Sequence, residues 1–265
     1  MTKGRPSPPR SGRPDSAEGR DHYSYSKYAD PETARTFDAK RFGGPIGDLV
    51  ASTQARVLAN LIGTIRHRVI LDVGTGTGRA ALLLARGGAN VTAVDASVEM
   101  LGVARRRATE EGASIRFLVG DAHALDFPDR SFDVALSLRV IMHTPRWRQC
   151  IGELCRVAGQ LVVVDYPSAH SVAAIESTAR RVAHAAGVET EAYRVFTDRA
   201  IADAFSSHGF RVRAMHRQFV LPIALHKAIG SRRFTIAAEA LLERAGLLRF
   251  LGSPVTLVAE RCASS

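Results

Sequence analysis

Three aspartates and a run of closely spaced glycines are the residues of this 265-residue chain whose types and order could do chemistry. In Ile70-Leu71-Asp72-Val73-Gly74-Thr75-Gly76-Thr77-Gly78-Arg79 an apolar run passes into a glycine-spaced turn and then into a helical pattern. Glycine lets the backbone turn sharply and lets a ligand touch main-chain atoms, and Asp72 sets a carboxylate beside that opening. These features describe a site for a nucleotide-type cofactor. The spacing argues against phosphate recognition, because G-x-G-x-x-G needs a third glycine where Arg79 stands. The P-loop G-x-x-x-x-G-K-[ST] needs glycine and lysine where Arg79 and Ala80 stand. A second carboxylate, Asp95, closes the next apolar run and lies 21 positions beyond Gly74 (95 less 74). That matches the separation of about 20 at which the following strand brings an acid beside the first loop. A third, Asp121, follows Gly120 after another apolar run, and His143 lies in Arg139-Val140-Ile141-Met142-His143-Thr144. A histidine so placed can act as a general base toward a hydroxyl or an acidic carbon, or it can bond a loop or orient a substrate.

The elements that must position these groups alternate. Apolar runs predict strands at 69–73, 90–94, 115–119, 132–136 and 161–164. Helical patterns fall at 79–86, 97–111 and 146–157, with Gly87-Gly88 and Gly112 as stops. Further helices are expected at 172–186, ended by Gly187, and at 198–208, capped by Thr197 and ended by Gly209. Ahead of the first strand, Asp48 is placed to cap a helix whose apolar positions Leu49, Val57, Leu58, Leu61 and Ile62 keep a 3.6-residue period up to Gly63. Alternation of this kind gives right-handed βαβ units and hence a doubly wound α/β fold, a parallel sheet covered on both faces. Two more β-like runs, 210–221 and 255–260, enclose a helical stretch longer than a hairpin needs. Residues 225–252 are therefore expected to be an insertion that covers the substrate mouth or forms a contact surface.

The patterns D-x-G-x-G-x-G at 72–78, D-x-S-x-x-M-L at 95–101 and G-D-A-x-x-L-x-F-P-D-x-S-F-D-V at 120–134 occur in order at strand ends. Together they resemble class I S-adenosylmethionine-dependent methyltransferases, in the broad group that includes ubiquinone and menaquinone methyltransferases. The resemblance implies a Rossmann-like, mostly parallel seven-stranded sheet of order 3-2-1-4-5-7-6 and S-adenosyl-L-methionine as cofactor. It further implies that Gly74, Thr75, Gly76 and Gly78 surround the methionine end, whose ammonium Asp72 orients. Asp95 beside Ala96 would take the ribose hydroxyls, Met100 would cover an adenine face, and Asp121 beside Ala122 would read the adenine amino group. Leu138, in Ser137-Leu138-Arg139, would lie between cofactor and substrate. One departure is Arg156-Val157-Ala158-Gly159-Gln160, where the family often carries L-K-P-G-G; it concerns a turn remote from the cofactor. The implied activity is in-line methyl transfer to a small-molecule acceptor at O, C or N, with a non-catalytic cofactor-binding protein or an RNA methyltransferase as alternatives. The N-P-P-[YFW] motif of nucleic-acid amino methylases is missing, and neither Cys150 nor Cys155 sits in the loop of a cytosine or uracil methylase. Nucleic acid is therefore a disfavoured substrate.

With 46% hydrophobic residues the chain can fill a core, and a formal net charge of +10 raises nucleic acid as a partner. The basic residues do not form one stripe. Lys3, Arg5, Arg10, Arg13 and Arg20 belong to a leader, residues 1–22, whose composition reads as disordered. Arg105, Arg106 and Arg107 stand near a helix end, where cations suit the dipole. No apolar run approaches the roughly 18 residues of a membrane span, and no secretory h-region opens the chain, so a cytoplasmic protein is expected. Residues 23–265 read as one domain, with an entry segment at 23–66, a cofactor-binding core at 67–166 and a substrate-side part at 167–265. Tyr23, Tyr25, Tyr28 and Phe37 of the entry segment could form a flap over the cofactor or anchor it to the sheet edge. Cys150, Cys155 and Cys262 form no C-x-x-C pair and read as ordinary thiols. His170, His216 and His226 are too dispersed to suggest a metal site.

Overall fold

The computed structural model describes residues 30–185 and 193–263. The leader, the tyrosines of the entry segment and the stop at Gly187 lie outside the described residues.

Two helices precede the sheet. Helix α1 (Pro31–Phe42) is capped by Asp30, which accepts from Thr33 N at 2.7 Å. Helix α2 (Gly44–Ile62) follows at once, with Gly43 as its N-cap and Gly63, at φ +75°, as its C-cap. The cap anticipated at Asp48 is thus five residues late. Pro45 stands in the first turn, where its fixed φ and missing N–H suit a helix start, so the chain enters helix without a side-chain cap. Asp48 is left exposed inside α2.

The sheet contains β1 (Val69–Val73), β2 (Asn90–Asp95), β3 (Ile115–Val119), β4 (Phe132–Ser137), β5 (Ala158–Tyr166), β6 (Phe210–Phe219) and β7 (Ser253–Arg261). Their order is β3-β2-β1-β4-β5-β7-β6, parallel throughout except for the antiparallel pairs of β7 with β5 and β6. Helices α3 (Arg79–Arg86), α4 (Val98–Glu110), α5 (Trp147–Val157), α6 (Val172–Ala185) and α7 (Asp198–Ser206) connect and cover it. The core divides by strand parity. Leu71, Val73, Ala135, Val162 and Val164 belong to one buried cluster, and Ile70, Val134, Leu136, Leu161 and Val163 to another. Successive side chains of a strand point to opposite faces, so a sheet covered on both sides needs unbroken apolar runs. Cys150 and Cys155 lie within the first cluster, and burial pushes each thiol up to about 12.

Between β6 and β7 stand α8 (Ile223–Ile229), α9 (Arg232–Arg244) and α10 (Leu248–Leu251). Helices α8 and α9 pack on α2, and α10 packs on β6. His226 fixes this insertion from inside: it is fully buried, with Nε2 2.8 Å from Glu239 Oε1 and Nδ1 3.1 Å from Thr235 Oγ1. Glu239 also accepts from Val220 N and Leu221 N at 2.7 and 3.0 Å, which satisfies the backbone where β6 ends. No helix among the described residues is long and apolar enough to cross a membrane.

Candidate functional site

The strand order reverses between β1 and β4, and in open α/β sheets the crevice at such a point, outside the carboxyl ends of the strands, is where ligands bind. A cleft enclosing about 1250 Å³, its open mouth included, lies there. Its floor is the glycine turn after β1, and the three glycines answer to three different demands. Gly74, at φ +71°, passes so close to the next loop that a Cβ would lie 2.3 Å from Val140 Cγ2. Gly78, at φ +81°, lets α3 approach α4, since a Cβ would lie 3.0 Å from Ala104 Cβ. Gly76 faces open space: nothing stands within 4 Å of a Cβ built there, although φ is +55°. The first two serve packing; the third leaves open space where a side chain would stand.

Two carboxylates shape the floor. Asp95 bridges the two loops, accepting from Gly76 N at 2.7 Å and from Ser97 N at 2.9 Å on separate oxygens. Ser97 in turn caps α4 by accepting from Met100 N at 3.0 Å. Asp72 is buried and accepts from Thr75 Oγ1 at 2.7 Å. Burial pushes its carboxyl up to about 6, against the Thr75 hydrogen bond and with the nearby Asp95 charge adding to the rise. Burial also raises the carboxyl of Asp95, opposed by its backbone hydrogen bonds.

The mouth is formed by three pieces. Helix α1 supplies Phe37, Arg41 and Phe42, and α2 supplies Gln54. After β4, Arg139 at φ +62° turns the chain, its N–H bonded to the buried Asp165, into the 3-10 turn Ile141–His143. His143 is buried at 6% exposure and lines the cleft beside Thr144 and Pro145. Asp38 clamps α1: it accepts from Thr77 Oγ1 at 2.9 Å and pairs with Arg107, which also donates to Thr77 O at 3.2 Å. From the insertion, Lys227 Nζ donates to Lys40 O and Arg41 O at 3.1 and 2.8 Å. Replacing Asp38 by alanine is therefore expected to loosen α1. The partly exposed pair limits the effect to about 0.5–1 kcal/mol of cofactor affinity, with faster proteolysis at Gly43-Gly44; unchanged values for both would show that α1 docks without the clamp.

The methyltransferase domain family matches residues 70–160. Over that stretch the chain is similar to class I S-adenosylmethionine-dependent methyltransferase domains. A demethylmenaquinone methyltransferase of Thermus thermophilus is 42% identical over 103 residues, 37% of this chain and 47% of that protein. One of Renibacterium salmoninarum is 33% identical over 114 residues, 42% of this chain and 46% of that protein. The chain thus spans about half the length of these curated relatives. Among solved structures, a magnesium protoporphyrin IX methyltransferase of Synechocystis with bound S-adenosylmethionine superposes with a TM-score of 0.60 at 18% identity. The match covers 91% of this chain and 97% of that one, and shows a shared fold.

The cofactor of the methyltransferase domain is S-adenosylmethionine, and the cleft fits it: open space at Gly76, two acids beside it, and Met100 in the lining. Asp72, Gly74, Thr75 and Gly76 line the cleft, as do Asp95, Ala96, Met100, Ala122 and Leu138. Gly78 and Asp121 do not. Gly78 is spent on helix packing, and Asp121 is turned to His123, with Oδ1 2.9 Å from its N and 2.7 Å from its Nδ1. Gly120 and Ala122, on either side of Asp121, line the wall. The insertion expected to cover the substrate mouth contributes no residue to the lining, and reaches the site through Lys227 and α1. Sequence reasoning missed Arg41, Phe42, Gln54 and Arg79, and it read Arg107 as a dipole partner, where the structure uses it to hold α1.

Proposed function

We propose that this chain is a cytoplasmic enzyme, with one domain over 23–265 behind a basic leader, that moves a methyl group from S-adenosylmethionine to a small-molecule acceptor. The observation that carries this reading is that one cleft is lined by Asp72, Asp95 and the open turn at Gly76 together with Phe37, Phe42, Val140 and His143. When bound, the cofactor supplies an activated sulfonium methyl group for in-line displacement. Asp72 orients the ammonium of its methionine end, and Asp95 spends the lone pairs that remain on its carboxylate on the ribose hydroxyls. Met100 and Ala122 flank the adenine. Phe37, Phe42 and Val140 exclude water from the reacting end, where alignment is the main requirement of the transfer. His143 accepts the proton of an acceptor hydroxyl or acidic carbon. The names of the two demethylmenaquinone methyltransferases support a small-molecule acceptor.

Calorimetric titration with S-adenosylhomocysteine, followed by product analysis against phenols, quinones, amines and acids, tests the proposal. Binding with product supports it, binding without any product across the panel leaves a cofactor-binding protein, and no binding refutes both. Asp95→Ala is expected to weaken S-adenosylhomocysteine by about 1.5–3 kcal/mol, the range for hydrogen bonds to a charged group. An unchanged dissociation constant would remove Asp95 from the ribose.

A further inference from the structure

Arg79, the residue that breaks the dinucleotide fingerprint, opens α3 directly after the glycine turn. A cation is disfavoured there by the helix dipole. Its guanidinium carbon lies 3.5 Å over the Phe42 ring, the side chain lines the cleft, and Nε is buried with no hydrogen-bond partner. Among the described residues no carboxylate pairs with it. Asp38, the acid whose charge favours it most, is already held by Arg107 and Thr77. Burial pulls its pKa below the ordinary arginine value, against the charges of Asp38 and Asp48. A half-buried cation with no carboxylate bonded to it is costly, and its retention on a cavity wall points to an anion that arrives with a ligand. Stacking on Phe42 fixes the plane of the guanidinium, and a stacked guanidinium keeps its in-plane N–H fork for a carboxylate.

We infer that Arg79 binds the carboxylate of the cofactor's amino-acid end, dividing the zwitterion with Asp72, which takes the ammonium. The inference rests on the reading of the cleft as an S-adenosylmethionine site. It places opposite charges on the two sides of the Gly74 to Gly78 turn, each matched to one group of the ligand. Because Phe42 ends α1, the bound carboxylate also favours the docked position of that helix.

The test compares S-adenosylmethionine with its decarboxylated analogue, which keeps the ammonium, sulfonium and nucleoside. Calorimetry on the full chain is expected to show decarboxylation weakening wild-type binding by about tenfold to a hundredfold, as for loss of a charge-assisted hydrogen bond. Arg79→Gln should lose a similar factor for S-adenosylmethionine and bind the analogue as the wild type does. Arg79→Lys, which keeps the charge without the fork, should recover part of the loss, and a matching melting temperature confirms that each variant is folded. Equal weakening of both ligands, or Arg79→Gln binding S-adenosylmethionine as well as the wild type, overturns the inference while leaving the cofactor site standing. Should Arg79→Gln not fold, the wild-type comparison decides: equal affinity for the two ligands overturns the inference. A folded wild type that binds neither ligand overturns the cofactor reading and this inference together.

Discussion

Asp72→Asn is expected to stabilise the ligand-free chain at pH 8 while weakening S-adenosylmethionine. In the folded chain burial pushes the Asp72 carboxyl up to about 6 from an ordinary 3.8. Between those values the folded state binds more protons than the unfolded chain, so stability falls as pH rises, and above the folded value the whole penalty of a buried carboxylate is in force. A shift of that size is on the order of 3 kcal/mol at 1.36 kcal/mol per unit. Asparagine removes the charge and can still accept from Thr75 Oγ1 through its carbonyl. Urea melts should therefore show the variant more stable than the wild type at pH 8, with the gap closing toward pH 4. The same variant cannot neutralise the ammonium, and about 1.5–3 kcal/mol of binding should go with it. Wild-type affinity should correspondingly fall as pH drops through 6, where Asp72 takes up its proton. Equal stability of the two proteins at pH 8 would show that Asp72 carries no burial penalty.

His143→Ala is expected to lower turnover of a hydroxyl or acidic-carbon acceptor by about 10²–10⁴, the usual contribution of a positioned base. Affinity for S-adenosylhomocysteine should stay within about twofold, since the residue lies at the cleft mouth beyond the cofactor acids. A histidine that only shapes the loop would change affinity and melting temperature instead. The pH profile separates the two roles: a base gives wild-type turnover an acidic limb that the variant lacks. Retained turnover with a wild-type profile would leave His143 a structural residue of the Ile141–His143 turn.

The sheet was legible because its central strands are buried on both faces, so Val69–Val73 and the Leu161–Val164 run of β5 stand out as apolar runs. β5 is longer than its apolar centre suggests, since α5 runs straight into it at Ala158 with no separating turn. The two C-terminal strands were readable as β-like runs, but their place in the sheet came from the family resemblance, because a helical insertion hides the hairpin. Helix α1 is a different case. Its few apolar residues form no stripe along one face, and it is held by Asp38, Arg107, Thr77 and Lys227 through contacts between distant residues, which leave no local pattern. Asp48 was misread because a polar cap is the stronger motif on paper, whereas Gly43 and Pro45 start the helix. In the site, the glycine turn and Asp95 were readable from spacing. The orientation of Asp121 toward His123, and the isolation of Arg79, depend on which neighbours fold against them.

Calorimetric titration of the folded wild-type chain with S-adenosylhomocysteine tests the central claim most directly. The expected result is saturable one-to-one binding with a dissociation constant between about 1 μM and 1 mM, the range of ordinary enzyme–substrate affinities. A chain that is folded by circular dichroism yet gives no binding at millimolar S-adenosylhomocysteine would contradict it.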